Sequence, residues 1–481
     1  MNVTRCLYSL LPLLCLLVPL PAAAAAPDGR YDIVFTHNQR VMTVKACFGE
    51  DPPNLLVNHR RGASGFIKKA YVVIDEQPQS LLVRNGRILT AGLHGQDCLH
   101  YQVDFLRVMN THQNLRFMTE KSNHVRTEAA AWLWLPESYA ALDIVFHLDE
   151  GYRVSAPWHL IDTDAESTHY RLYPGHDNEA SLVYFGRMRS HILPVGDTDL
   201  RLSIMGDIDD DSAGKLIDWI EYGARALTRV YGRFPAAQLP VLIFPVGPGR
   251  EIVPWGEIKR EGGNCVHLYV DHTRPLAGII DDWTLVHELS HTLHPYISME
   301  GRWLSEGLAT YYQNVLQARA GVLSSREAWT KLHQGFERGI AETRSGRKLK
   351  QVSRNMHENR QYMRVYWSGT ALWLRADWLL RTRHDSSLDA VMKQFHDCCL
   401  DSGRTWPPLE YMQMMDKLSG TGIFTDMYHE YANSDEFPDL SAVYRSLGLV
   451  GRGYDLELVP NAPQQRLVRA IMSEYPDGQA L

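Results

Sequence analysis

The chain has 481 residues, 45% of them hydrophobic and 22% charged, with a formal net charge of −7. Its composition is that of an ordinary globular protein, and its length predicts about three domains. The mildly acidic balance, with no basic tract, argues against a nucleic-acid partner.

The first 26 residues read as a leader. Arg5 precedes the apolar run LYSLLPLLCLLVPL, and AAAAA follows, the layout of a secretory signal peptide. A membrane anchor is the alternative. The run is shorter than the roughly 20 residues a span needs, and Pro12, Pro19 and Pro21 interrupt it. Cleavage is expected near Ala24 to Ala26, leaving a periplasmic or secreted protein with no stable membrane span. Cys6 and Cys15 leave with the leader. Cys47 and Cys98 share a strand-rich region and are the expected disulfide, the alternative being two buried thiols. Cys398 and Cys399 adjoin on an expected helix, where successive side chains point apart, so no bridge is expected between them.

From about 30 to 205 the pattern is β. YDIVFT, VMTVKACF, KAYVVID, SLLVRNGRIL, LDIVFHL, THYRLYP and SLVYFG are short runs of β-branched and aromatic residues separated by turn-formers, Asn85-Gly86 among them. A helix follows, with Leu216, Ile217, Ile220, Ala224, Leu227 and Val230 at helical spacing and Asp211 or Ser212 as its cap. LPVLIFPV and NCVHLYVD are strands around a Gly-rich loop. Helices are expected at 282–294, ended by Pro295, and at 302–319, with Gly321 just beyond. Further helices are expected at 325–343, 359–383, 386–399, 407–418 and 422–433. The expectation is a multidomain chain: a β-sandwich-like N-terminal domain over 27–205, a mixed α+β catalytic domain over 206–322, and an all-α domain over 323–481.

The segment WTLVHELSHTLHP carries His287, Glu288 and His291 in an HExxH pattern. Residues four apart share a helix face, so His287 and His291 can offer two imidazoles to one zinc ion. Glu288, beside the first, can reach a water there. HExxH alone carries little information, and surface helices contain it by chance. A catalytic zinc site also needs a third protein ligand and an open position. Glu306 supplies the ligand on the next helix, among Trp303, Leu304, Leu308, Ala309 and Tyr312, where an unpaired carboxylate would be costly. A histidine six residues past His291 would be the alternative, but Ile297 stands there. His294 reads as a helix-end residue.

HELSH followed by WLSEGLATYY resembles the gluzincin metallopeptidases, whose histidine pair is completed by a glutamate in W-x-x-E-G. Among these it is most similar to the glycyl aminopeptidase family. VYWSGTALWLRADWLLR places Tyr366, Gly369, Asp377 and Arg381 in that family's helical pattern, with Ser368 in place of its lysine. The likeness covers roughly 200 to 450. It implies a thermolysin-like catalytic domain, one zinc per chain held by His287, His291 and Glu306, Glu288 as general base, and Tyr366 as donor to the developing oxyanion. Tyr362, one turn earlier, is the rival donor. Three departures stand out. The spacing from His291 to Glu306 is short, a terminal PDZ domain has no room after 450, and the cleft strand's amine-anchoring glutamate is missing where it is sought. There EGGNCVHLYVD keeps Gly262 and Gly263 but has Asn264-Cys265-Val266. Gly262, Gly263 and Asn264 are expected to face substrate, and the strand through Cys265, His267 and Tyr269 to pair with an extended peptide.

Three readings stay open. An aminopeptidase acting on a peptide or protein substrate is favoured by the resemblance. An endopeptidase or an amidase on another substrate is the second, and a catalytically silent zinc-binding homologue the third. The intact Glu288 weighs against the last, because a purely structural zinc has no need of a base.

Overall fold

The computed structural model describes residues 26–36, 41–95, 97–111, 124–175, 177–344, 346–400, 403–459 and 461–472. All of the expected leader except Ala26 lies outside the described residues. Among the described residues no helix is long and apolar enough to cross a membrane.

The N-terminal part follows from two-residue alternation. Strand Gly29–Thr36 buries Tyr31, Ile33 and Phe35 and turns Arg30, Asp32 and Val34 the other way. It lies inside an eight-stranded sheet whose spatial order is His159–Thr163, Ser167–Leu172, Leu142–Leu148, Gly29–Thr36, Val41–Phe48, Cys98–Asp104, Ile67–Ile74 and Gln77–Ser80. Gly29–Thr36 runs parallel to Leu142–Leu148. A four-stranded and a three-stranded sheet contribute Leu56, Ile88, Val125, Val183 and Phe185 to the same core. Trp132, Phe146, Trp158, Tyr170 and Phe185 meet ring to ring within it. Cys47 and Cys98 oppose each other on neighbouring strands and are bonded, as expected.

A five-stranded sheet follows, in spatial order Met188–Val195, Thr198–Met205, Gln238–Val246, Cys265–Asp271 and Trp255–Lys259. Its inner pairings are parallel and its two edge pairings antiparallel. Two of these strands precede the expected boundary at 205. Alternation reveals a strand but not the sheet that receives it, because pairing is long-range. The helix Asp210–Thr228 packs on this sheet. Its cap is Asp209, whose Oδ1 accepts the Ser212 amide at 2.7 Å, and not Asp211 or Ser212.

One apolar core runs from Leu193 to Met472, so the helices beyond 322 share it with the sheet. The expected helices appear as Arg302–Arg319, Ser325–Glu342, Tyr362–Arg383, Leu388–Cys399, Pro408–Ser419 and Ile423–Ala432. Among the elements not foreseen are the helices Leu276–Asp281, Leu349–Arg354, Met356–Asn359, Ser441–Leu447 and Ala462–Met472, the strand Trp255–Lys259, and the hairpin of Leu449–Arg452 with Asp455–Leu458. Cys398 and Cys399 are bonded to each other, which corrects the expectation for that pair. They are the last two residues of the helix Leu388–Cys399, their Cα atoms 3.7 Å apart.

Candidate metal centre and active site

The histidine helix is shorter than its pattern suggested. Thr284–Ser290 is α-helical, and His291–Leu293 tightens into a 3₁₀ turn. All of these residues are buried. Leu285 and Leu289 seat on Gly223 of the helix Asp210–Thr228, where an added Cβ would stand 3.0 Å from Leu289 Cδ1. The far end is tied down by Arg260, whose guanidinium donates to the His291 carbonyl at 2.6 Å and so satisfies an end-of-helix acceptor.

Glu306 comes from the helix Arg302–Arg319, anchored by fully buried Trp303, Leu304 and Leu308. Its Oε2 lies 3.4 Å from Nε2 of His287 and 3.4 Å from Nε2 of His291. The three donor atoms all lie within 4.8 Å of one another. Two imidazoles and one carboxylate converging on one point are a donor set that could hold a metal ion. Burial opposes the charge on Glu306, yet His291 and His287 outweigh it and hold the carboxyl well below its usual range. Burial also opposes protonation of His287, but Glu306 and Glu288 raise its pKa, whereas at His291 burial prevails and lowers it. Glu288, 8% exposed, is pushed up to about 7, first by burial and then by Glu306 and Glu257.

The strand lying over this helix is Trp255–Lys259, at the edge of the sheet. A Cβ on Gly256 would stand 2.9 Å from Glu288 Cγ, so the backbone passes directly above the carboxylate, and the Ile258 amide reaches it. This corrects two expectations. Cys265–Asp271 is paired on both sides and offers no free edge to a peptide. Gly262 and Gly263 form a left-handed turn packed on the N-terminal part, where added Cβ atoms would meet Trp158 Nε1 at 3.0 Å and the Pro157 carbonyl at 2.8 Å. Asn264 accepts from Arg260 at 3.1 Å. Gly262 and Gly263 thus pack against the N-terminal part where a side chain would stand, and Asn264 is held by the same Arg260 that ties down His291. The edge strand also carries an acid that was missed, Glu257, with Lys259 at 2.9 Å and His267 at 3.5 Å.

Tyr366 reaches the site from the helix Tyr362–Arg383. Its ring stacks on His287, centroids 5.9 Å apart and planes 12° apart. Burial, followed by Glu306 and Glu288, pushes its phenol well above the usual range. Tyr362 points elsewhere, its hydroxyl 3.2 Å from His357 Nδ1. The remaining motif residues fix how the helices meet. Gly307 and Gly369 touch backbone to backbone, Trp373 Nε1 donates to the Leu304 carbonyl at 2.9 Å, and Asp377 accepts from Tyr311 at 2.7 Å and Arg381 at 2.9 Å.

Two neutral side chains around the histidines, Gln313 and Ser305, also went unread, and His294 was read only as a helix end. Gln313 Oε1 is 3.2 Å from His287 Nδ1. It sits seven residues after Glu306, two turns along the same face, and that spacing could have found it. Ser305 and His294 both lie against His291 Nδ1, at 3.3 and 3.2 Å.

Residues 287–371 match the family model described as M61 glycyl aminopeptidase, a span that holds the histidine pair, Glu306, Tyr366 and Gly369. The chain resembles the gluzincin glycyl aminopeptidases. No curated protein matches the sequence. Among solved structures, an aminopeptidase N family protein from Idiomarina loihiensis superposes with a TM-score of 0.63 at 14% identity, over 88% of this chain and 78% of that one. Native yeast LTA4 hydrolase gives 0.54 at 10% identity, over 87% and 70%. An M1 zinc metallopeptidase mutant from Deinococcus radiodurans, bound to a Tyr-Ser-Ala substrate, gives 0.52 at 13% identity, over 86% and 94%. At such identities the likeness establishes a shared fold, with a β-rich region first and a helical region last.

Proposed function

We propose that the chain is an exported zinc aminopeptidase that binds one zinc per chain through His287, His291 and Glu306. The observation that carries this reading is the convergence of those three side chains beside a buried Glu288 whose pKa is about 7. The edge strand lying over the histidine helix supports a thermolysin-like arrangement of the catalytic region.

When bound, zinc supplies the Lewis acidity that polarises the scissile carbonyl and makes water nucleophilic near neutral pH. Glu288, buried beside the three converging donors, takes the proton of the attacking water and delivers it to the leaving amine. Tyr366 keeps its phenolic proton and donates it as a hydrogen bond to the oxygen on which charge develops. Glu257 anchors the free amine of the substrate. Burial opposes its charge, but His267 and Lys259 hold its pKa at about 2, so it is ionised wherever the amine is protonated. Extended substrate pairs with the open edge of Trp255–Lys259. The bonded pair Cys47–Cys98 suits an oxidising compartment, in keeping with the leader.

A peptide-library digest of the zinc-loaded mature protein, with and without an N-terminal acetyl cap, tests the reading. Stepwise shortening of uncapped peptides alone is expected. Internal cleavage of capped peptides would make the enzyme an endopeptidase, and no cleavage of either would leave a silent homologue.

A further inference from the structure

His294 is buried, 1% exposed, and has no place in the mechanism above. Its Nδ1 lies 2.8 Å from the Pro295 carbonyl, which can only accept, so that nitrogen carries the ring's proton. In the neutral ring Nε2 is then left with a lone pair. That lone pair faces His291 Nδ1 at 3.2 Å and the Ser305 hydroxyl at 3.2 Å, while Ser305 Oγ is itself 3.3 Å from His291 Nδ1. Two hydrogens, one on His291 and one on the Ser305 hydroxyl, serve these three contacts, and they run as one donor chain toward the His294 lone pair. His291 donates from Nδ1, Ser305 donates from its hydroxyl, and His294 Nε2 is the terminal acceptor. If His291 carried its proton on Nε2, its Nδ1 and His294 Nε2 would be two acceptors facing each other with a single hydroxyl proton between them. The array therefore leaves the lone pair of His291 on Nε2, the atom that faces Glu306.

We infer that His294 is a positioning residue: through Nε2, and with Ser305, it fixes His291 as the Nδ1–H tautomer and aims its Nε2 at the point where His287 and Glu306 converge. This rests on the zinc-site reading and extends it. The partner of His287, Gln313, is neutral like Ser305 and His294, so the residues orienting the two ligands are an amide, a hydroxyl and an imidazole. Fixing a ligand's tautomer from behind raises metal affinity, and losing such a partner typically costs about 10–100-fold.

The test is zinc affinity, measured by chelator competition on the full mature chain, for wild type, His294→Ala, His294→Gln and Ser305→Ala. The Oε1 of glutamine can reach the position of Nε2 and accept, whereas alanine cannot. The expected result is affinity weakened about 10–100-fold in His294→Ala, weakened less in Ser305→Ala, and largely restored in His294→Gln, with zinc-free melting temperatures of His294→Ala and His294→Gln alike. Wild-type affinity in His294→Ala would overturn the inference. So would equal losses in the alanine and glutamine variants at equal stability. If His294→Ala melts too low to handle, Ser305→Ala and His294→Gln still decide, since a Gln variant that folds but binds as weakly as Ser305→Ala or worse contradicts an acceptor role. Failure of the zinc-site reading itself looks different, because wild type would then bind no zinc.

Discussion

Gly307 and Gly369 cross without side chains between them, and a Cβ built on Gly369 would stand 2.8 Å from the Gly307 Cα. It would also collide with the Trp303 carbonyl. Each glycine follows a site residue by a short step, Gly307 after Glu306 and Gly369 one helical turn after Tyr366. Their contact therefore sets how closely carboxylate and phenol approach the histidines. Gly369→Ala should destabilise the fold by about 1–3 kcal/mol, read by urea unfolding, and should lower zinc affinity as Glu306 is pushed away. Unchanged stability would mean that the helices slide apart freely and the crossing is not a constraint.

Tyr366→Phe should reduce turnover by about 10–1000-fold with little change in KM or melting temperature. The hydroxyl meets an oxygen that becomes strongly charged only in the tetrahedral state, and the ring that stacks on His287 is retained. Tyr362→Phe should have a small effect, because that hydroxyl is engaged with His357. Steady-state kinetics on both variants decide it. Equal small losses would remove tyrosine from the transition state.

Glu257→Gln should raise KM for peptides with a free N-terminus by about 10-fold or more, as expected when a charge-assisted contact is reduced to a neutral one. Zinc content should not change, since Glu257 is not among the three converging donors. Kinetics on matched free and acetylated peptides give the answer. An equal effect on both would show that Glu257 acts on the fold or on Glu288, and not on the amine.

The convergence of His287, His291 and Glu306 was legible because its signals are local. A spacing of four fixes the two histidines on one face, and the apolar flanks of Glu306 mark a buried charge that needs a partner. Gly369 was legible only as a motif letter, and its reason, contact with Gly307, needs two helices distant in sequence. The edge strand escaped for the same reason. Trp255–Lys259 is five residues with little alternation in burial, and only its pairing with Cys265–Asp271 reveals it. The Gly-rich turn at 262–263 drew attention instead, although its glycines serve a close approach to Pro157 and Trp158. His294 ends the 3₁₀ turn at His291–Leu293, as expected, but that turn also brings its ring back onto His291, which the sequence does not reveal.

The most direct test is zinc stoichiometry, by elemental analysis of the mature protein, for wild type, Glu288→Gln, Glu306→Ala and the double variant His287→Ala, His291→Ala. The account predicts one zinc per chain in wild type and in Glu288→Gln, which should have lost hydrolysis by about 100-fold or more, and little or none in the other two. Undiminished zinc in the double variant, or wild-type turnover in Glu288→Gln, would contradict it.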